Sequence, residues 1–177
     1  KLEEISGKPV GRRICNVTEE EDVRALVGAA VEDMGHVDVL INNAGLGGEV
    51  PIVDMTDDQW FTVIDVTLHS VFRMTRAILP HMMERGRGAI VNKASVLGWR
   101  AQEGQSHYAA AKAGVMALTR CAAIEAAERN VRINCVSPSL AMHPFLEKVT
   151  PPGLLEELQK REAFGRGAEP WEISNVM

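Results

Sequence analysis

Four short β-rich runs, residues 10–15, 37–41, 89–94 and 131–136, alternate along the chain with segments long enough to be helices. Neighbouring strands joined by helical crossovers run parallel, so this alternation predicts an α/β fold with a doubly wound, three-layered parallel sheet. Local signals support the helices between them. Thr18 with Glu21 reads as a capping box, Val23, Leu26, Val27, Ala30, Val31 and Met34 form an apolar face, and Gly35 is a stop. A second box, Thr56 with Gln59, opens a helix with Trp60, Val63, Ile64, Leu68, Val71, Met74 and Ile78 on one face, ending before Gly86. A third helix spans 106–129. Its small residues, Ala109, Ala110, Ala111, Ala113, Gly114 and Ala117, fit either close approach by a neighbour or simple helix propensity. Beyond Ser137 the chain turns irregular through Pro144, Pro151 and Pro152, then predicts a short amphipathic helix over 154–162.

In open parallel sheets, ligands bind where the carboxyl ends of strands meet helix amino termini. After the four runs stand Asn16-Val17, Asn42-Asn43-Ala44-Gly45, Ser95 and Ser137-Pro138-Ser139, a polar rim if the strands align. Ordinary turn chemistry also favours these residues.

Composition narrows the partners. The 177 residues are 46% hydrophobic and 24% charged, enough for one folded domain over 1–177. The formal charge of −5, with no basic run longer than Arg12-Arg13, argues against nucleic acid. No apolar stretch is long enough for a membrane span and no signal peptide is visible, so the cytoplasm is expected. Cys15, Cys121 and Cys135 are odd in number and sit among apolar residues, predicting buried, reduced thiols. The five histidines, among them His107 and His143, lack ligand spacing, so no metal is expected.

Tyr108 and Lys112 are four apart at the start of the third helix, which puts their Cβ atoms on one face, roughly 5–6 Å apart. A free phenol titrates near about 10, and a neighbouring ammonium favours its ionised form. A shift of about three units needs about 4 kcal/mol, more than one exposed lysine supplies, so a second positive charge is required. Ser95, at a strand end, is placed to hydrogen-bond a carbonyl or alcohol oxygen held against the tyrosine. Taken alone, a Tyr-x-x-x-Lys pair also fits a solvated helix face.

The ordered set is more specific: Asn42-Asn43-Ala44-Gly45, then Gly88-Ala89-Ile90-Val91-Asn92 leading to Ser95, then Tyr108-Ala109-Ala110-Ala111-Lys112-Ala113-Gly114, then Val131-Arg132-Ile133-Asn134 before Ser137-Pro138. It closely resembles the short-chain dehydrogenases/reductases across almost the whole chain. The resemblance implies a Rossmann-like fold and reversible oxidation of a secondary alcohol to a ketone with NAD or NADP. It makes Tyr108 the general acid/base, has Lys112 lower the tyrosine pKa and bind the nicotinamide ribose, and has Ser95 polarise the substrate oxygen. Asn42, Ala44 and Gly45 would line the cofactor, Asn16 and Val17 would lie near adenine, and Pro138, Ser139, Ala141 and His143 would approach the carboxamide. Helices over 56–84 and 106–129 would build a homodimer or homotetramer interface.

Thr67 stands where the family commonly has the asparagine that holds a water on a proton relay, Ser139 where it has glycine, His143 where it often has threonine, and Asn16 where aspartate is frequent. These departures leave open a cofactor-binding or scaffold protein impaired in catalysis, and the fold also serves epimerases and dehydratases. The glycine-rich phosphate-binding βαβ unit and the closing strand have no counterpart here; Gly45-Leu46-Gly47-Gly48 follows the wrong strand. The expectation is a unit lacking its flanks, without the residue that distinguishes NAD from NADP. Bacterial 3-oxoacyl reductases and steroid- or acyl-CoA-type dehydrogenases resemble the pattern best. Leu97, Trp99, Met142, Phe145 and Leu146 suggest a hydrophobic, bulky substrate or a lid packed on itself.

Overall fold

The computed structural model describes residues 2–142, 146 and 152–177. Three strands, β1 (Val39–Asn42), β2 (Gly88–Lys93) and β3 (Val131–Val136), form a parallel sheet in the order β1-β2-β3. The helices are α1 (Leu2–Ser6), α2 (Glu20–Met34), α3 (Asp57–Ile64), α4 (Ser70–Arg85), α5 (Ser106–Ala127), α6 (Pro152–Arg161) and α7 (Pro170–Ser174). A π turn, Asp65–His69, joins α3 to α4, and a 3-10 turn, Val96–Gly98, follows β2.

Parallel register aligns Leu40, Ile90 and Ile133 across the sheet. On this face Ile90 and Ile133 are buried with Val131, against Ile78 and Met82 of α4 and Ala122 and Ala126 of α5, while Val27 and Val31 of α2 close the cluster. Burying the valine, isoleucine and methionine side chains stabilises the fold by about 1.5–3 kcal/mol each. The opposite face carries Val39 and Ile41, both half exposed, and exposed Arg132 and Asn134. Helices therefore cover one face among the described residues.

The second capping box is present: Thr56 Oγ1 accepts from the Gln59 amide at 3.2 Å, and Gln59 Oε1 accepts from the Thr56 amide at 2.9 Å. Gly35 (φ 72°) and Gly86 (φ 63°) end α2 and α4 in the left-handed region, where lacking a Cβ removes the strain. The amphipathic helix expected over 154–162 is α6. The small residues of α5 have a packing reason at Gly114, where a Cβ would lie 2.8 Å from Leu68 of the π turn.

Three expectations are corrected. Residues 10–15 form no strand, because no other strand runs beside them among the described residues and an unpaired extended segment gains no ladder bonds. Helix α2 begins at Glu20 with Glu19 as an uncapped N-cap, because Asn16 Oδ1 takes both the Thr18 amide, at 3.1 Å, and the Thr18 hydroxyl, at 2.9 Å. The three cysteines are free, but Cys121 is exposed and Cys15 and Cys135 only half-buried. Cys121 lies on the outward stripe of α5 with Ala113, Ala117 and Ile124.

Candidate active site

Three elements converge beyond the carboxyl end of β2. Ser95 leaves the strand in extended conformation, and its Oγ accepts from the Leu97 amide at 3.2 Å, which caps the 3-10 turn and fixes the side chain. Its hydroxyl lies near enough to the Tyr108 phenol to favour the ionised form. The Lys112 Nζ, buried one helical turn on, donates to the Lys93 carbonyl at 2.6 Å and lies 5.5 Å from the Tyr108 ring centroid. The structure thus brings together Ser95, Tyr108 and Lys112.

Burial, opposed by the Ser95 hydroxyl, holds the Tyr108 phenol above its ordinary value. Burial, helped by the charge of Lys93, pushes Lys112 down to about 8. The neighbouring ammonium alone therefore does not make the phenol acidic, which agrees with the need for a second positive charge. At neutral pH the tyrosine holds its proton, the state suited to donating one.

Thr67 is fully buried in the π turn, a geometry frequent at functional sites. Its Oγ1 accepts from the Leu46 amide at 3.0 Å and donates to the Leu46 carbonyl at 2.9 Å. The hydroxyl proton is spent on the loop that follows β1, so Thr67 clamps that loop instead of donating to a relay. A Cβ on Gly45 would stand 3.5 Å from Lys112 Nζ and 3.8 Å from Thr67 Oγ1. The missing side chain leaves the approach to the ammonium open, and Ala44 and Gly45 are exposed on the rim. These residues fit a flat ring and ribose laid against Lys112.

Asn42 is placed differently from a rim residue. It is buried, and its Nδ2 donates to Asn92 Oδ1 at 2.8 Å and lies 3.5 Å from Thr75 Oγ1. Asn92 donates to Thr119 Oγ1 at 3.0 Å, which donates to the Val115 carbonyl at 2.7 Å. This ladder ties β1, β2 and α5 together beneath the site. Asn16 is committed locally: beyond its contacts with Thr18, its amide donates to Asp22 at 2.8 Å, and Val17 beside it is half-buried. The Pro138 carbonyl accepts from the Val96 amide at 2.9 Å, Ser139 Oγ donates to Glu162 at 2.6 Å, and Ala141 bridges to Ala168. His143 and Phe145 lie outside the described residues. Of the other apolar candidates, Trp99 is exposed, while Leu97, Met142 and Leu146 are half-buried.

Sequence reasoning missed Asn92, Gly98, His107 and the Lys93 carbonyl. A polar residue at an inward position of a strand, Asn92 in Gly88–Lys93, is the one signal that pointed to the ladder. Gly47 and Gly48, set aside as following the wrong strand, pack on the site: a Cβ on Gly47 would lie 3.4 Å from the Tyr108 ring, and one on Gly48 3.5 Å from His107 Nε2.

A parallel sheet bearing a Ser-Tyr-Lys cluster at its carboxyl edge is an arrangement of the Rossmann type. The family model for enoyl-(acyl carrier protein) reductase matches residues 1–177. The chain belongs to the short-chain dehydrogenase/reductase family. It is 59% identical over 175 residues to a (5R,7aS)-5-hydroxy-7a-methyl-1-oxo-2,3,5,6,7,7a-hexahydro-1H-indene-carboxyl-CoA reductase from Mycobacterium tuberculosis, covering 97% of this chain and 67% of that protein. It is 37% identical to the 3-oxoacyl-[acyl-carrier-protein] reductase FabG of Thermotoga maritima, covering 99% of this chain and 72% of the relative. A short chain dehydrogenase structure from Mycobacterium smegmatis superposes with a TM-score of 0.80 at 52% identity, over 98% of this chain and 65% of the other. The chain thus spans about two thirds of the length of such relatives.

Proposed function

We propose that the protein interconverts a ketone and a secondary alcohol with NAD or NADP, on a hydrophobic acyl-CoA or steroid-like substrate. The observation that carries this reading is the Tyr108 ring 5.5 Å from the buried Lys112 ammonium, with Ser95 beside the phenol. A bound nicotinamide supplies or accepts the hydride. In reduction, the ketone oxygen sits between two hydroxyls. Ser95, already accepting from Leu97, directs its proton at that oxygen and stabilises the charge developing there. Tyr108, kept protonated by burial, transfers its phenolic proton to the same oxygen. Lys112 holds the cofactor ribose and favours the phenolate left behind. Oxidation runs the same path backward and needs the phenolate first.

Ala44, Gly45, Pro138, Ser139, Ala141 and His143 are proposed to line the cofactor, with Asn16 and Val17 near adenine and Asn42 acting through the sheet beneath. The compound in the name of the Mycobacterium tuberculosis relative, a fused-ring keto acid bound to coenzyme A, supports a bulky apolar acyl group. A homodimer or homotetramer is proposed through the exposed Phe61 and the outward stripe of α5. The proposed location is the cytoplasm, consistent with three free thiols; no described helix is long and apolar enough to cross a membrane.

Tyr108→Phe is expected to lower kcat by about 10²–10⁴-fold while NAD(P)H still binds, as followed by its fluorescence. Undiminished turnover overturns the assignment. The second reading, an impaired cofactor-binding protein, draws on Thr67, whose hydroxyl is spent on Leu46. Cofactor binding without turnover by the unaltered protein across ketones and alcohols would select it.

A further inference from the structure

His107 precedes Tyr108 on the first turn of α5 and is 2% exposed. Its Nδ1 is fully enclosed and has no hydrogen-bond partner among the described residues. Burial holds the imidazole below the ordinary histidine pKa, so it is neutral near pH 7, one ring nitrogen a donor and the other an acceptor. A buried polar atom left unpaired costs roughly 1–3 kcal/mol, and an apolar side chain would avoid it.

The surroundings indicate what would use it. Leu46 is pinned by Thr67, and the Val50 amide donates to the Gly104 carbonyl at 3.0 Å. Between these anchors Gly47 lies against the Tyr108 ring and Gly48 against His107 Nε2. One glycine pair therefore lies against both rings, Gly47 on the carbon face of Tyr108 and Gly48 at the Nε2 edge of His107, so a shift of this stretch changes access to that nitrogen. Five residues on a helix turn by about 140°, so His107 points away from the Lys112 side on which the cofactor ribose is proposed to lie. His107 and Lys112 thus flank Tyr108 on opposite sides.

We propose that His107 is a specificity-determining residue that hydrogen-bonds a second oxygen function, a hydroxyl or carbonyl, carried by the substrate away from the reacting ketone. This rests on the ketoreductase reading above. Sites built to pair a substrate oxygen reject the analogue lacking it, because their own buried group is then left unpaired.

The test compares NAD(P)H-dependent reduction of trans-1-decalone and a decalone bearing a hydroxyl on the distal ring by the full-length protein. The unaltered protein is expected to favour the hydroxylated ketone by roughly tenfold to a hundredfold in kcat/KM. His107→Leu should abolish that preference without lowering the melting temperature, and His107→Gln should restore part of it. Gly48→Ala, whose methyl would rest 3.5 Å from Nε2 in ordinary contact, should weaken the preference by shielding the ring. Equal turnover of both ketones by the unaltered protein, or a preference that survives in His107→Leu, overturns the inference alone. So does a His107→Leu protein that melts lower and loses both activities in proportion, which marks a packing role. Turnover of neither ketone, nor of acetoacetyl-CoA, removes the ketoreductase reading and the inference with it.

Discussion

Lys112 is the residue at which folding and chemistry compete most openly. Its ammonium gives up water for the Lys93 carbonyl, and its pKa falls from 10.5 to about 8. A lysine depressed in the folded state binds fewer protons there than in the unfolded chain between those two values, so stability rises as pH climbs from about 8 toward 10. Below 8 the whole penalty, about 3 kcal/mol, is present. Above about 10 the raised phenol of Tyr108 reverses the trend, because the folded state then keeps a proton that the unfolded chain has lost. Denaturant titrations at pH 7 and pH 9.5 should show the rise in the unaltered protein and its absence in Lys112→Met. The Tyr108, Lys112 and Ser95 positions were legible in sequence because helical spacing and a strand end are short-range facts. The sign of the tyrosine shift was not, since desolvation depends on neighbours brought in from the loop after β1. His107 escaped for the same reason: nothing beside it in the chain announces that it is buried.

At the scale of elements, the 3-10 turn after β2 decides how Ser95 meets α5. A Cβ on Gly98 would lie 2.4 Å from Met116 Cε, 3.1 Å from the Ala113 amide nitrogen and 3.2 Å from the Lys112 carbonyl carbon. The methionine end can swing away; the helix backbone cannot. Gly98→Ala should therefore lift the turn off α5, cost about 1–3 kcal/mol and lower kcat more than it raises the cofactor KM. Urea melts and steady-state kinetics on one preparation check both. Helix boundaries set by short-range chemistry, the Thr56 box and the left-handed glycines, were readable from the chain. The start of α2 was not, because Asn16 competes for Thr18 with a turn of its own.

Across the whole molecule, protection should follow the sheet. Amides of β2 and β3, hydrogen-bonded in register and covered by α4 and α5, should exchange slowest, and those of 10–15 should exchange early in a polypeptide of residues 1–177. Hydrogen-exchange mass spectrometry distinguishes the two sets. That β1, β2 and β3 run parallel was legible from alternation alone, whereas 10–15 has strand-forming residues but no neighbour. Propensity describes a segment; pairing needs two.

The amide ladder from Asn42 through Asn92 to Thr119 has a bearing on catalysis that its position hides. Sliding β1 by one residue would turn Asn42 outward and strand the Asn92 carbonyl in hydrocarbon, so only one alignment is tolerated. Ser95 follows Asn92 by three residues and Ala44 follows Asn42 by two. The heights of the reacting serine and of the rim beside it are thus keyed by side chains that take no part in the reaction.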